Sequence, residues 1–236
     1  MADWKKLEVQ FTDQLRLSRR PVAVTFLESA PAGIAKFSGT EPSGCSFWRL
    51  ASAGRVFYTV PADHLNCAVG AYTHSIQVPP ERVKETEETL GMMFNLGYVR
   101  PEEVPNIPRL AQEPAAVVYA PLGDTPLDPS VAMFTCRASS AMLLNEAALR
   151  ARAGATLPLL GRPTCMALPA SLVHGTVSSL GCIGNRTYTD TGADELYVAI
   201  PGTKLAQVAE ALATIVSANA AVEQYARDRR TALSIL

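Results

Sequence analysis

Short apolar runs with the composition of buried strands alternate with segments of helical spacing along almost the whole chain. This alternation confines the fold to the mixed α/β classes. Val22-Ala23-Val24-Thr25-Phe26-Leu27, Val56-Phe57-Tyr58-Thr59-Val60, Ala116-Val117-Val118-Tyr119, Val131-Ala132-Met133-Phe134-Thr135 and Glu195 to Ile200 read as strands. Around them, Trp4, Leu7, Phe11 and Leu15 recur at near-helical spacing over residues 4–18, which end at the stop signal Arg19-Arg20-Pro21. Pro79-Pro80-Glu81 opens a further helix carrying Val83, Leu90, Met93 and Phe94, and its acidic first turn suits the helix dipole. Ser139 to Arg152 carries Met142, Leu143, Leu144 and Leu149, while Leu205, Val208, Leu212, Ile215 and Val222 trace one stripe of a long helix, read here as core. The expectation is an α/β fold, with a mixed α+β arrangement as its variant, forming a single globular domain over residues 1–236.

Comparing the chain with itself adds an organisational expectation. Arg20-Pro21-Val22-Ala23-Val24 resembles Arg162-Pro163-Thr164-Cys165-Met166, Ser43-Gly44-Cys45 is echoed by Leu180-Gly181-Cys182, and Phe57-Tyr58-Thr59-Val60-Pro61 by Tyr197-Val198-Ala199-Ile200-Pro201. The order is the same in both series. This predicts two related αβ halves, about 20–100 and 160–236, joined by a middle αβ segment and packed as one unit. Cys45 and Cys182 would then be equivalent, and a site between the halves would draw residues from both.

With 48% hydrophobic and 18% charged residues the chain has ample material for a core. Its 21 basic and 22 acidic residues leave a formal charge of -1, which offers no broad positive field for a phosphate backbone, so nucleic acid is not an expected partner. The start, MADWKKLEVQF, lacks the apolar core of a secretory peptide, and no later segment reads as a continuous apolar run of membrane-helix length. A cytoplasmic protein with no membrane association is expected. In a reducing compartment five cysteines are better explained by metal binding or catalysis than by disulfides, although free cysteine is also a common core residue.

None of the cysteines forms a Cys-x-x-Cys pair, so any centre must be assembled by the fold from distant segments. Cys45, Cys67 and Cys182 lie near glycine in what read as loops beside strands, where backbone N–H groups can approach a thiolate. Cys136 ends an apolar strand just before a helix, where burial accounts for it. His64, His74 and His174 all lie within eight residues of a cysteine; His64 is a candidate ligand beside Cys67, against a solvated or capping role. Arg49, Arg186 and Tyr72 are candidates to orient a carboxylate or cofactor, against ordinary salt-bridge roles. The nucleotide-binding loop, dinucleotide fingerprint, nucleophile elbow and His-Glu-x-x-His signatures are missing from the sequence.

Over the stretches GCSFWRLA, VPADHLNCAVGAYTH, RPTCMALPAS and SLGCIGNRTY, and across nearly the whole chain, the sequence resembles the uncharacterised prokaryotic family known as domain of unknown function 169. The resemblance implies a fold and a four-cysteine set, Cys45, Cys67, Cys165 and Cys182, with Gly181 to Arg186 as its most specific piece; Cys136 has no counterpart in it. No activity comes with the family. Four thiolates without histidine are the usual complement of a [4Fe–4S] cluster, which is the leading expectation for the cofactor. Such a cluster would transfer electrons to a redox partner or bind a small anionic ligand near Arg49 or Arg186. The alternatives are a structural Zn(Cys)4 site fastening the halves of a small-molecule-binding protein, and a cysteine-dependent enzyme with His64 or His74 as base. Whether the protein is an enzyme, and whether it is a homo-oligomer, both stay open from sequence.

Overall fold

The first helix starts where Asp3 accepts a hydrogen bond from the Lys6 N–H at 3.0 Å, satisfying one free donor of the first turn. In the computed structural model, which describes residues 2–154 and 159–233, this helix, α1, spans Trp4–Leu15 and is followed by strand β1, Val22–Leu27. The chain continues through α2 (Gly44–Ser52), β2 (Phe57–Thr59), α3 (Ala68–Thr73), α4 (Pro80–Asn95), β3 (Ala116–Pro121), β4 (Val131–Arg137) and α5 (Ala138–Arg150). It then forms β5 (Leu159–Leu160), α6 (Ala167–His174), β6 (Val177–Ser179), α7 (Ile183–Thr189), β7 (Glu195–Pro201) and α8 (Leu205–Ala232).

The strands join in one seven-stranded sheet of order β2-β3-β1-β4-β7-β6-β5, giving a mixed α/β fold in a single unit. Among the described strands, only β5 and β6 pair parallel; the remaining neighbours are antiparallel. Alternation of strand and helix therefore does not build a parallel sheet here, because the helices are inserted into connections between antiparallel strands.

Side-chain alternation along β4 and β7 splits the core into two layers. Val131, Met133, Tyr197 and Ala199 face one side, together with Val22, Val24 and Tyr119, and are covered by Phe47, Trp48 and Ala51 of α2 and by Ala167, Leu168 and Ala170 of α6. Ala132, Phe134, Cys136, Val198 and Ile200 face the other, covered by Phe11 and Leu15 of α1, Leu144 of α5, and Leu205, Val208 and Leu212 of α8. The α8 stripe is core only in part: Leu205, Val208 and Leu212 are fully buried, whereas Val222 is 65% exposed. A helix of 28 residues is about 42 Å long and outruns the sheet it packs on. Over an 18-residue window of mean hydropathy 1.4, this helix with its preceding turn (Gly202–Ala232) is long and apolar enough to cross a membrane by length and average composition alone. Its alanines lift the average without a continuous run of large apolar residues, and its first turns are buried against α1 and α5.

Strand pairing divides around the β1–β4 seam, where Val22 faces Met133 and Val24 faces Val131. β1 pairs outward with β3 and β4 outward with β7; these outer strands end at Pro121 and Pro201, each followed by a short 3-10 turn. The excursion from β1 to β3 holds Cys45 and Cys67, and that from β4 to β7 holds Cys165 and Cys182. Of the matched sequence segments, Gly44-Cys45 and Gly181-Cys182 both lie at helix starts, and Phe57 and Tyr197 both lie in strands. The remaining match is one of sequence only: residues 22–24 are strand, but Thr164–Met166 is a 3-10 turn packed on α3.

Candidate metal centre

Four cysteines stand at helix starts on the α2 side of the sheet, where the sequence reading placed Cys45, Cys67 and Cys182 in loops. Cys45 is the second residue of α2, and Cys67 is the N-cap of α3, its Sγ accepting the Gly70 N–H at 3.2 Å. Cys165 lies in the 3-10 turn leading into α6. Cys182 is the N-cap of α7, and its N–H donates to Thr164 Oγ1 at 2.5 Å. The first turn of a helix leaves N–H groups without helical partners, and these favour negative charge on sulfur. Gly70 makes the approach close, since a Cβ there would lie 3.2 Å from Cys67 Sγ.

Packing brings the helix starts together. α2 lies against α7 and α3, and the Thr164–Met166 turn lies against both α2 and α3. Cys45 is close enough to feel the charge of Cys165, Cys67 and Cys182; Cys165 feels Cys67 and Cys182, and Cys67 feels Cys182, so every pairing among the four is present. Burial and then these neighbours hold the Cys45 and Cys165 thiols well above the ordinary range. Burial also raises Cys67, opposed by the N–H groups of Gly70, Gly44 and Val69. Cys45 and Cys165 are buried, while Cys67 and Cys182 are half-buried, so one edge of the group approaches solvent. Among the described residues, no group of three or more His, Cys, Asp or Glu side chains is placed so that it could hold a metal ion.

Cys136 is on the opposite side of the sheet, 1% exposed among the α1, α5 and α8 side chains, its thiol pushed up to about 12 by burial and then by the Glu195 charge. Arg49 is exposed and its guanidinium lies 4.0 Å from Glu41, and Arg186 is spent on backbone carbonyls, those of Gly192 at 2.5 Å, Glu195 at 2.9 Å and Leu180. The candidate anion-orienting arginines thus have structural partners: a surface ion pair for Arg49 and a clamp on the loops flanking α7 for Arg186. Tyr72 donates to Val104 O at 3.1 Å under the Arg109 guanidinium, and His174 is exposed at the end of α6.

His64 and His74 are both 1% exposed and stack with ring centroids 5.4 Å apart. His74 Nδ1 lies 2.9 Å from Gly70 O; a carbonyl only accepts, so Nδ1 carries the hydrogen. His64 Nε2 pairs with Thr59 Oγ1 at 2.8 Å. Burial lowers both pKa values, that of His74 to about 4, and both rings are neutral at pH 7. Their remaining nitrogens, His64 Nδ1 and His74 Nε2, have no partner within the protein.

Sequence reasoning missed Asn185 on α7 and Tyr119 on β3, two buried polar residues on the α2 side of the sheet whose side-chain polar atoms are unpaired. For Asn185 a signal existed, because the residue three positions after an N-cap cysteine lies one helical turn from it. Tyr119 reads from sequence only as a strand residue.

The chain belongs to the family of uncharacterised ArCR proteins, domain of unknown function 169, whose profile matches residues 10–211. It is similar to the uncharacterized protein MJ0308 of Methanocaldococcus jannaschii, with 29% identity over 182 residues that cover 73% of this chain and 76% of that protein. No solved structure matches the chain.

Proposed function

We propose that this protein carries a [4Fe–4S] cluster on Cys45, Cys67, Cys165 and Cys182 and acts in electron transfer or in binding a small ligand at that cluster. The observation that supports the reading is that four thiols, from four separate segments, lie at helix starts on one face of the sheet, each near enough to feel the charge of the other three. The donor set fits the group: four sulfurs are its usual complement, and the N–H groups around Cys67 suit a thiolate. When bound, such a cluster supplies a one-electron redox centre. The half-buried edge at Cys67 and Cys182 gives electrons the shortest way to solvent or a redox partner. A reducing, cytoplasmic setting belongs to the proposal, because the ligands must stay as thiols until loaded.

The test is anaerobic purification of the full chain followed by iron, acid-labile sulfide and zinc analysis. About four irons and four sulfides per chain, with a brown colour bleached by dithionite, is the expected result. Colourless protein with one zinc per chain would replace the reading with a structural zinc site. Metal-free protein whose activity is lost on alkylation would point to thiol catalysis.

A further inference from the structure

Residues 77–113 are all described and none of them is buried, although they include the whole of α4 and the apolar side chains of Leu90, Met92, Met93, Phe94 and Leu96. The much shorter α3 beside it buries Gly70, Ala71 and Thr73. Along α4 the half-buried positions Arg82, Thr86, Leu90 and Met93 recur at steps of three and four, so one face of the helix turns inward, toward α3, without sealing against it. Apolar burial is what normally holds a helix to its domain. Polar contacts hold this one.

The base of this excursion is stitched together. The Leu110 N–H donates to Thr73 O at 2.9 Å, Ser75 Oγ to Leu110 O at 2.6 Å, and the Gln77 N–H to Glu113 Oε2 at 2.5 Å. Above that stem, Arg82 donates to Leu65 O at 3.2 Å and to Asn66 Oδ1 at 3.3 Å, on the two residues before Cys67. Beyond α4, the Arg162 guanidinium lies 4.8 Å over the Tyr98 ring and 3.8 Å from Glu103; two residues on from Arg162, Thr164 Oγ1 holds the Cys182 N–H. Both clamps thus fasten the excursion to the segments that carry or hold Cys67 and Cys182, the two half-buried cysteines. Partly exposed ion pairs and hydrogen bonds of this kind are weak one by one.

We propose that residues 78–109 form a flap that opens on its stem while the sheet stays folded, and that this opening governs access to Cys67 and Cys182. Local opening follows the contacts a segment buries, and this one buries no side chain fully. A loop whose two ends are tied to each other can leave the body as a unit, because the stem keeps the flanking chain in place. Cys136, on the far side of the sheet, lies outside the flap's reach and reports only on unfolding of the core. The proposal goes beyond the cluster reading and holds whatever the thiols bind.

The experiment uses the full chain as purified, in wild type, Arg82→Lys and Tyr98→Leu. Arg82→Lys keeps the charge near Cys67 but loses the fork that grips two oxygens, and Tyr98→Leu keeps apolar bulk but removes the ring under Arg162. In wild type, native-state hydrogen exchange should show the α4 amides opening together while those of β1, β3 and β4 stay protected. In each variant the α4 amides should exchange about fivefold faster and the strand amides at the wild-type rate. Maleimide labelling of chelator-treated protein, read by mass spectrometry, should then be about fivefold faster at Cys67 and Cys182 and unchanged at Cys136. If the chelator unfolds the chain, exchange on the protein as purified decides. Exchange of α4 only in step with the strands would overturn the proposal, as would variants that leave α4 exchange unchanged or that speed Cys136 labelling equally.

Discussion

Replacing Cys136 and Cys165 in turn separates a core thiol from a proposed ligand. Cys136→Ala deletes one sulfur from the α1, α5 and α8 side of the sheet, where Ala132, Phe134 and Leu144 close around it. Losing a small buried group costs about 1 kcal/mol, in transfer energy and a minor void. For a chain of this length that lowers Tm by about 2–4 °C. Metal content should not change, since the whole sheet lies between Cys136 and the other thiols. Cys165→Ala removes a comparable sulfur on the other side, but metal-binding energy is folding energy and a structural site contributes on the order of 10 kcal/mol. Its metal-loaded form should lose most of its iron and far more thermal stability. The assay is iron and sulfide per chain beside a calorimetric scan of each variant, anaerobic throughout. Metal lost from Cys136→Ala and kept by Cys165→Ala would show the ligand set to be wrong.

Gly175→Ala should cost roughly 2–4 kcal/mol, read in urea melts: Gly175 has φ of 86° and an added Cβ would lie 2.1 Å from Ala153 O. Arg186→Lys should speed alkylation of Cys182 in metal-free protein, followed by mass spectrometry, because one ammonium cannot hold the three carbonyls that the guanidinium clamps. Stability should fall on acidification from about pH 6.5 to about pH 4. His74 stays neutral in the fold down to about 4, so over that window the unfolded chain binds the extra proton, at an eventual cost on the order of 3 kcal/mol. His74→Gln should flatten this part of a pH-dependent urea series.

How far the site could be read from sequence differs from residue to residue. Cys136 was legible as a core residue, because an apolar strand leading into an apolar helix leaves a cysteine nowhere polar to go. The helices that start at Cys45, Cys67 and Cys182 were not legible. They are only 9, 6 and 7 residues long, too short for helical periodicity to stand out, and they are held by packing against one another. Arg186 looked like a ligand-orienting residue, since sequence cannot show that backbone carbonyls already fill its donor fork.

Apolar runs and their spacing determined that this chain forms a layered mixed α/β fold, because burying those faces is the dominant driving force and needs only local periodicity. Tertiary structure decided the rest: that the strands pair antiparallel around β1 and β4, and that Val222 hangs beyond the core while Leu212 fills it. The charge coupling between Cys45 and Cys182 joins residues 137 apart in the chain, and it exists only because α2 and α7 are laid side by side over the same face of the sheet.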